Sequence, residues 1–355
     1  MSPSAFHPLL HPDAPVAASG LPPRILAVLQ ADGFSTLGAL AKAKAPSASA
    51  WLDADTHGLL ERTTAYLRAW LAGTPPSLTL SAWLALFLPP KRQEVLRLRY
   101  ALETSSPSLS AHEVSLGRVG SQLHLTRERV RQLANTALRT LSQPLPAAAA
   151  EPLLRLAEQA MAGAGNALDA EGLADWADPA WGDLSPTGGF LLLARLWPER
   201  LTVYRNFFTP LPPRQVDHLE KTMRDALMQA GELMPVASLA AGIRKPAATV
   251  AGPDGVEALL LALLRHSPDT LALRDGRAGL AHRDLTLLVH EILAERGETA
   301  LPVLLDALNA RLYPESQKGS GTLRDLLFHD PLVRKTAPGR YDLPGGHQPT
   351  FLFPP

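Results

Sequence analysis

The stretch LPPKRQEVLRLRYALETSSPSLSAHEVSLGRVGSQLHLTRERVRQLANTALRTL, Leu88–Leu141, divides on elementary grounds into helices and one tight turn. Leu88-Pro89-Pro90 opens the first helix, because proline is tolerated where the N–H groups lack acceptors anyway. Val95, Leu96 and Leu98 supply its buried stripe. Ser115–Leu123 is a short helix with Leu116, Val119 and Leu123 on one face; His124-Leu125 makes the turn. Thr126 caps the next helix, alone, since Arg129 stands where a capping box needs a carboxylate. In the third helix Val130, Leu133, Ala137, Leu138 and Leu141 form a core stripe, with Arg127, Glu128, Arg131 and Gln132 on the opposite face. A short helix, a tight turn and a basic helix start form a helix-turn-helix, with Thr126–Leu141 expected in the major groove.

Charge singles out the same stretch. Lys+Arg and Asp+Glu both total 34 in the chain, so any DNA affinity must be local. Between Lys91 and Thr140, nine basic residues stand against Glu94, Glu103, Glu113 and Glu128, a surplus of five. The remainder carries the matching deficit.

With 355 residues there is room for two to four domains, and 46% hydrophobic residues mark a folding chain. The absence of cysteine excludes disulfides, thiol catalysis and thiolate metal sites and fits a reducing cytoplasm; with DNA as the expected partner, the expected location is cytoplasmic and nucleoid-associated. The start, MSPSAFHPLLHPDAP, lacks the basic and apolar regions of a signal peptide. The longest apolar run, around Val256–Leu264, falls well short of the ~20 residues a membrane span needs, so no membrane partner is expected.

Helical periodicity dominates elsewhere, as in Leu59, Tyr66, Leu67 and Trp70. Strand-like pieces are short: Leu201–Tyr204, Thr270–Leu273 and Leu332–Thr336. Ala45–Ala50 and Gln143–Pro152 (QPLPAAAAEP) read as linkers, and Gly188-Gly189 as a turn. Gly165, Gly231 and Gly297 lie 66 residues apart in both intervals, each after an amphipathic helix. Each is followed by an apolar anchor (Leu168, Met234, Leu301) that opens a short helix, then by a leucine-rich helix and a short strand with a turn. That order is the order of a winged helix, with left-handed glycine ending the first helix. The fold class expected is mostly α and multi-module, a helix-turn-helix plus three tandem winged-helix-like repeats with small β wings. The domains are 1–74, 75–145, 152–215, 216–284 and 285–344, with a tail at 345–355.

The Leu88–Leu141 segment resembles region 4 of the sigma-70 family, the part of bacterial sigma factors that reads the −35 promoter element. LPPKRQEVLRLRYAL corresponds to its leading helix and SLGRVGSQLHLTRERVRQLANTALRTL to its helix-turn-helix. The resemblance implies base-edge contacts from Arg127, Glu128 and Arg131, and flanking groove and phosphate contacts from Thr126, Arg129 and Gln132. That agrees with arginine pairing to guanine and glutamate accepting from cytosine. Arg118 and Arg99 are the expected phosphate contacts. Two departures stand out: Gly117-Arg118 replaces the usual acidic pair, and nothing in Met1–Ser81 resembles the region that melts DNA. A stand-alone sigma factor is therefore not the expectation.

Two weaker resemblances flank it. LPPRILAVLQADGFSTLGALAKA, Leu21–Ala43, is similar to the start of the C-terminal domain found in the α subunit of RNA polymerase, with Gly33 at the turn and Ser35 or Thr36 as cap. Its second, phosphate-contacting glycine hairpin is replaced by Trp51-Leu52-Asp53-Ala54-Asp55. The ending LVRKTAPGRYDL resembles the wing of winged-helix modules, where Arg334, Lys335 and Arg340 would reach phosphate and Tyr341 would pack beneath.

Enzyme signatures are missing from the sequence: no HExxH, no Walker loop and no GxSxG. No enzymatic activity, cofactor or metal is expected. The leading expectation is a sequence-specific double-stranded DNA-binding protein acting in transcription regulation. Two alternatives stay open: an RNA polymerase-binding adaptor or other protein-interaction module, and non-specific DNA binding in repair or nucleoid organisation. A homodimer is also open, because helix-turn-helix proteins often read palindromes as dimers.

Overall fold

The computed structural model describes residues 10–43, 52–103, 113–169, 172–173, 176, 178–243 and 256–343. Fifteen α-helices and nine short strands are defined among them, as the mostly α, multi-module expectation requires. The chain divides into two compact units, Met1–Gly163 with Leu168–Pro210, and Ala164–Ala167 with Leu211–Pro355.

In the first unit, α1 (Pro23–Ala31) and α2 (Leu37–Lys42) are joined across Gly33, and Thr36 caps α2 by accepting from the Ala39 N–H at 3.2 Å. Asp53 begins α3 (Ala54–Leu71) by accepting from the Thr56 N–H at 2.9 Å. The stretch replacing the second glycine hairpin is thus a helix start, its carboxylate spent on a cap. Arg68 of α3 donates to the Ala41 carbonyl at 2.6 Å and to that of Ala43, satisfying the open end of α2. The expected linker Ala45–Ala50, Trp51 and the 345–355 tail lie outside the described residues.

Next come α4 (Leu80–Phe87), α5 (Pro90–Arg99), α6 (Leu116–Leu123), α7 (Arg127–Leu141) and α8 (Pro144–Gly163). The last corrects an expectation: Gln143–Pro152 is no linker but the start of a 20-residue helix. Leu145, Ala148, Ala149 and Ala150 are buried there, and the Trp83 indole N–H of α4 donates to the Pro146 carbonyl at 2.9 Å. Alanine is the best helix former, and its small side chain lets α4 approach closely. Gly188-Gly189 is likewise not a turn but the first turn of α9 (Pro186–Leu196). A methyl group on Gly188 would collide with the Tyr100 carbonyl, so only glycine allows this helix to nest there. Residues Gly188–Ala194 of α9 are all buried.

Strands β1 (Leu168–Asp169), β2 (Thr202–Tyr204) and β3 (Phe207–Thr209) close the first unit as an antiparallel sheet of order β1-β3-β2. Arg200 ties this sheet to α8, reaching Glu151 at 2.6 Å and Glu158 at 2.7 Å. Burial alone would raise the Glu151 pKa, but hydrogen bonds from Arg200 and Arg155 outweigh it and hold the carboxyl below its ordinary value.

The second unit runs the same element order twice. First come α10 (Pro213–Ala230), β4 (Met234–Pro235), α11 (Val236–Gly242), α12 (Val256–His266), β5 (Thr270–Ala272) and β6 (Arg277–Leu280). Then follow α13 (Ala281–Arg296), β7 (Thr299–Ala300), α14 (Leu301–Arg311), α15 (Ser320–His329), β8 (Arg334–Ala337) and β9 (Arg340–Asp342). The sheets read β4-β6-β5 and β7-β9-β8, so in all three repeats the opening strand pairs with the hairpin's second strand. Leu168 and Met234, expected to open helices, lie instead in two-residue opening strands that nothing in the sequence pattern announces, whereas Leu301 does begin α14. Gly165, Gly231 and Gly297 all take positive φ, 69°, 75° and 70°; Gly231 is the left-handed stop expected, whereas Gly297, at ψ −150°, lies outside the left-handed region.

No linker separates the last two repeats: β6 ends at Leu280 and α13 begins at Ala281. Asp284 is fully buried at this joint, accepting from the Leu280 N–H at 2.7 Å and from Arg283 at 2.6 Å. Arg265 at the end of α12 pairs with Glu315 at 2.6 Å and lies 4.8 Å from the Tyr313 ring centre. Most of α12 is buried too, from Val256 through Leu264 apart from Glu257, Ala258 and Leu261.

This geometry makes two features testable. Gly231→Ala should cost stability by about 1 kcal/mol, since a left-handed L-residue costs roughly 1–2 kcal/mol. Gly297→Ala should cost more, because its φ 70°, ψ −150° lies in a region open essentially to glycine alone. Urea titrations of the two variants give the order. Because the folded Glu151 pKa lies below its ordinary 4.5, its contribution is full well above that pH and fades as pH falls through the folded value. Glu151→Gln should therefore cost about 1–3 kcal/mol at pH 7, and the deficit should close on acidification in urea melts.

Candidate nucleic-acid interface

The α6–turn–α7 unit is fixed by backbone chemistry. Ser115 caps α6, accepting from the Arg118 N–H at 3.3 Å, and Thr126 caps α7, accepting from the Arg129 N–H at 3.1 Å. Between them His124 adopts φ 54°, and the Leu125 N–H donates back to the Gly120 carbonyl at 2.9 Å. Gly120 lies directly beneath this turn: a Cβ there would stand 2.6 Å from the Leu125 oxygen. On α7, Val130, Ala134, Ala137, Thr140 and Leu141 are buried, while Leu133 and Leu138 of the expected stripe are only half-buried. α5 packs on this side, and the small Ala134 permits it.

The opposite side of α7 exposes Arg127, Glu128, Arg129, Arg131 and Gln132. Arg131 meets the Glu128 carboxylate with two hydrogen bonds of 2.8 and 2.7 Å, and Gln132 donates to Glu128 at 3.2 Å. Hydrogen bonding from Arg131 holds the Glu128 carboxyl below its ordinary range. Arg129 donates to the Gln132 side-chain oxygen at 3.4 Å. The face is therefore a linked row of donors and acceptors. Being exposed, the Glu128–Arg131 pair is weak, about 0–1 kcal/mol, and easily exchanged for other partners.

The local charge surplus resolves into named side chains. Each of the four acids between Lys91 and Thr140 pairs with a cation of the same segment: Glu94 with Lys91, Glu103 with Arg97, Glu113 with Arg99, and Glu128 with Arg131; Glu113 also meets Arg195 at 3.9 Å. Arg92, Arg118, Arg127, Arg129 and Arg139 have no carboxylate partner among the described residues. Arg92 carries no role in the sequence reading. It is half-buried, and its pKa is lowered by burial and by the Arg129 charge, which brings an α5 cation to the start of α7. Only the packing of α5 on α7 reveals it, because the two arginines are far apart in sequence.

The phosphate-contact expectation for Arg99 is corrected. Its guanidinium binds the Glu113 carboxylate and the Val114 carbonyl, fastening α5 to the chain entering α6, and little donor capacity remains. Arg118 stays exposed on α6. In the second unit, Arg334 and Lys335 are exposed on β8, and Arg340 on β9 donates to Glu298 at 3.3 Å. Tyr341 packs against the apolar core of its own repeat, as expected of a residue beneath a wing. No helix among the described residues is long and apolar enough to cross a membrane.

Comparison with curated proteins and with solved structures found no match. Among protein families, residues 87–143 match sigma-70, region 4, which makes this α5–α7 segment a DNA-binding helix-turn-helix region.

Proposed function

We propose that this chain is a sequence-reading, double-stranded DNA-binding protein of transcription regulation, with α7 lying in the major groove. The observation that carries the reading is the exposed α7 row Arg127–Glu128–Arg131–Gln132, mounted on a segment that matches sigma-70, region 4. Arg127 is free to pair bidentately with a guanine, and Arg131 becomes free when Glu128 turns to a cytosine amino group. Little is lost in that exchange, because the surface ion pair it breaks is weak. Arg118, Arg129 and Arg92 supply phosphate contacts that hold the register but carry no sequence information. Thr126 and Gln132 flank the bases.

The repeats contribute unequally to this function. If they are winged helices, the third helix would be the groove reader, yet α9 and most of α12 are buried. The third helices of the first two repeats are then structural, each spent on packing within its own unit. The third helix of the last repeat is the more exposed one, but it presents Phe328 and Asp325, so groove reading stays with α7.

Selection of preferred sites from a random duplex pool, followed by titration of the winning duplex, tests the proposal. Arg131→Ala should weaken binding to that duplex by about 1–3 kcal/mol, roughly 5- to 150-fold, and relax preference at one base pair. Arg118→Ala should weaken all duplexes alike and reduce the slope of log affinity against log salt by about one. Equal affinity for every duplex would defeat sequence reading and leave non-specific DNA binding.

A further inference from the structure

We infer that the free face of the third repeat, α15 with the approach to β8, docks a partner protein through an apolar segment rimmed with acidic side chains. The inference is independent of DNA reading by α7. It starts from a contrast between equivalent helices. In α9 the run Gly188–Ala194 is buried, and in α12 six apolar residues are buried while Arg265 is held by Glu315. In α15 only Leu323 and Leu327 are buried, and Thr322, Arg324, Asp325, Phe328 and His329 are exposed or half-exposed.

What α15 exposes is unusual for a solvent face. Among the described residues four large hydrophobic side chains are exposed, and two of them are here: Phe328 at 84% and Leu332 at 58%. They lie four residues apart across the Asp330-Pro331 bend, which is held by Asp330: its carboxylate accepts from the Leu332 N–H at 2.9 Å and meets the His290 ring nitrogen at 2.5 Å. The bend thus displays Leu332 in a fixed place, and Phe328 is an aromatic anchor of the kind that interface centres use.

The surrounding charge decides the chemistry of the occupant. Arg324, one turn from Phe328, and Arg334 and Lys335, just past Leu332, have no carboxylate partner among the described residues. The nearby opposing charges are Asp325 and Asp342, the latter opposite Arg334 in the β8–β9 register; Asp330 is engaged by His290 and Arg340 is paired with Glu298. A surface with an apolar centre and a cationic rim is complementary to an acidic amphipathic segment. Duplex DNA matches it less well, because Phe328, Leu332 and Asp325 would face phosphates and polar base edges.

The test uses the full-length chain and a displayed library of random 16-residue peptides. Panning would be done on the native protein with counter-selection on the Phe328→Ala/Leu332→Ala variant, whose folding is checked by its thermal melt. Selected peptides should combine Leu, Phe or Trp with Asp and Glu. In fluorescence anisotropy their affinity should fall at least tenfold in that variant. It should fall several-fold in Arg334→Ala/Lys335→Ala, with reduced salt sensitivity. Duplex binding should change less than twofold in Phe328→Ala/Leu332→Ala. Peptides without acidic residues, or binding indifferent to Phe328 and Leu332, would overturn the inference. Loss of duplex affinity in the Phe328→Ala/Leu332→Ala variant would overturn it as well and assign the face to DNA.

Discussion

The missing side chain of Gly120 sets the angle at which α7 leaves the turn, and the DNA-binding face depends on that angle. A carbonyl oxygen of the turn occupies the space a Cβ would need, 2.6 Å away, and His124 takes a left-handed conformation to bring it there. Histidine is among the residues that tolerate such φ values better than most. With the turn fixed, the Thr126 cap closes the first free N–H groups of α7, and the arginines of its first turns project together. A one-residue change in this geometry would rotate Arg127, Glu128 and Arg131 by about 100°, since a helix has 3.6 residues per turn.

Close approach of backbones recurs throughout the first unit and explains why the helix-turn-helix is mounted firmly there. Gly188 lets α9 sit on the Tyr100 carbonyl, and Ala148–Ala150 let α8 lie against neighbouring helices. The Ser185 N–H donates to the Leu102 carbonyl at 2.6 Å, fastening the same two stretches a second time. Small residues serve here as contacts, not as flexible spacers. The first repeat consequently gives up its third helix to packing.

Caps and stops are legible in the sequence because their chemistry is local. Thr126 and the three glycines act within a few residues of themselves, so sequence spacing is enough to find them. Gln143–Pro152 misleads for the opposite reason. Prolines and alanines have the same composition in a linker and in a tightly packed helix, and only the partner, Trp83 with its bond to Pro146, distinguishes the two. β1, β4 and β7 are two residues long, too short for a period-two pattern to register. Arg92 and Arg99 show the same limit for charge. Both are basic residues of α5, yet one approaches Arg129 and the other is consumed by Glu113, a difference set by tertiary contacts.

That difference also explains how a chain of zero formal charge can hold a DNA-binding face. Counting charges treats Arg99 and Arg127 alike. In the structure each of the four acids in the Lys91–Thr140 segment pairs with a cation of that segment, and the uncompensated remainder is concentrated on and beside α6 and α7. Screening reaches only about 8 Å at physiological salt, so the deficit carried by distant parts of the chain does little to cancel a nearby cluster of five arginines. The second unit follows the other course. Many of its arginines are spent on internal pairs, Arg265 with Glu315, Arg277 with Glu291 and Arg311 with Glu295, while Arg324, Arg334 and Lys335 near Phe328 and Leu332 have no carboxylate partner among the described residues. Cations arranged around an apolar centre favour an acidic protein surface, whereas cations along an exposed polar helix favour phosphate. The two units of this chain therefore present surfaces for different kinds of partner.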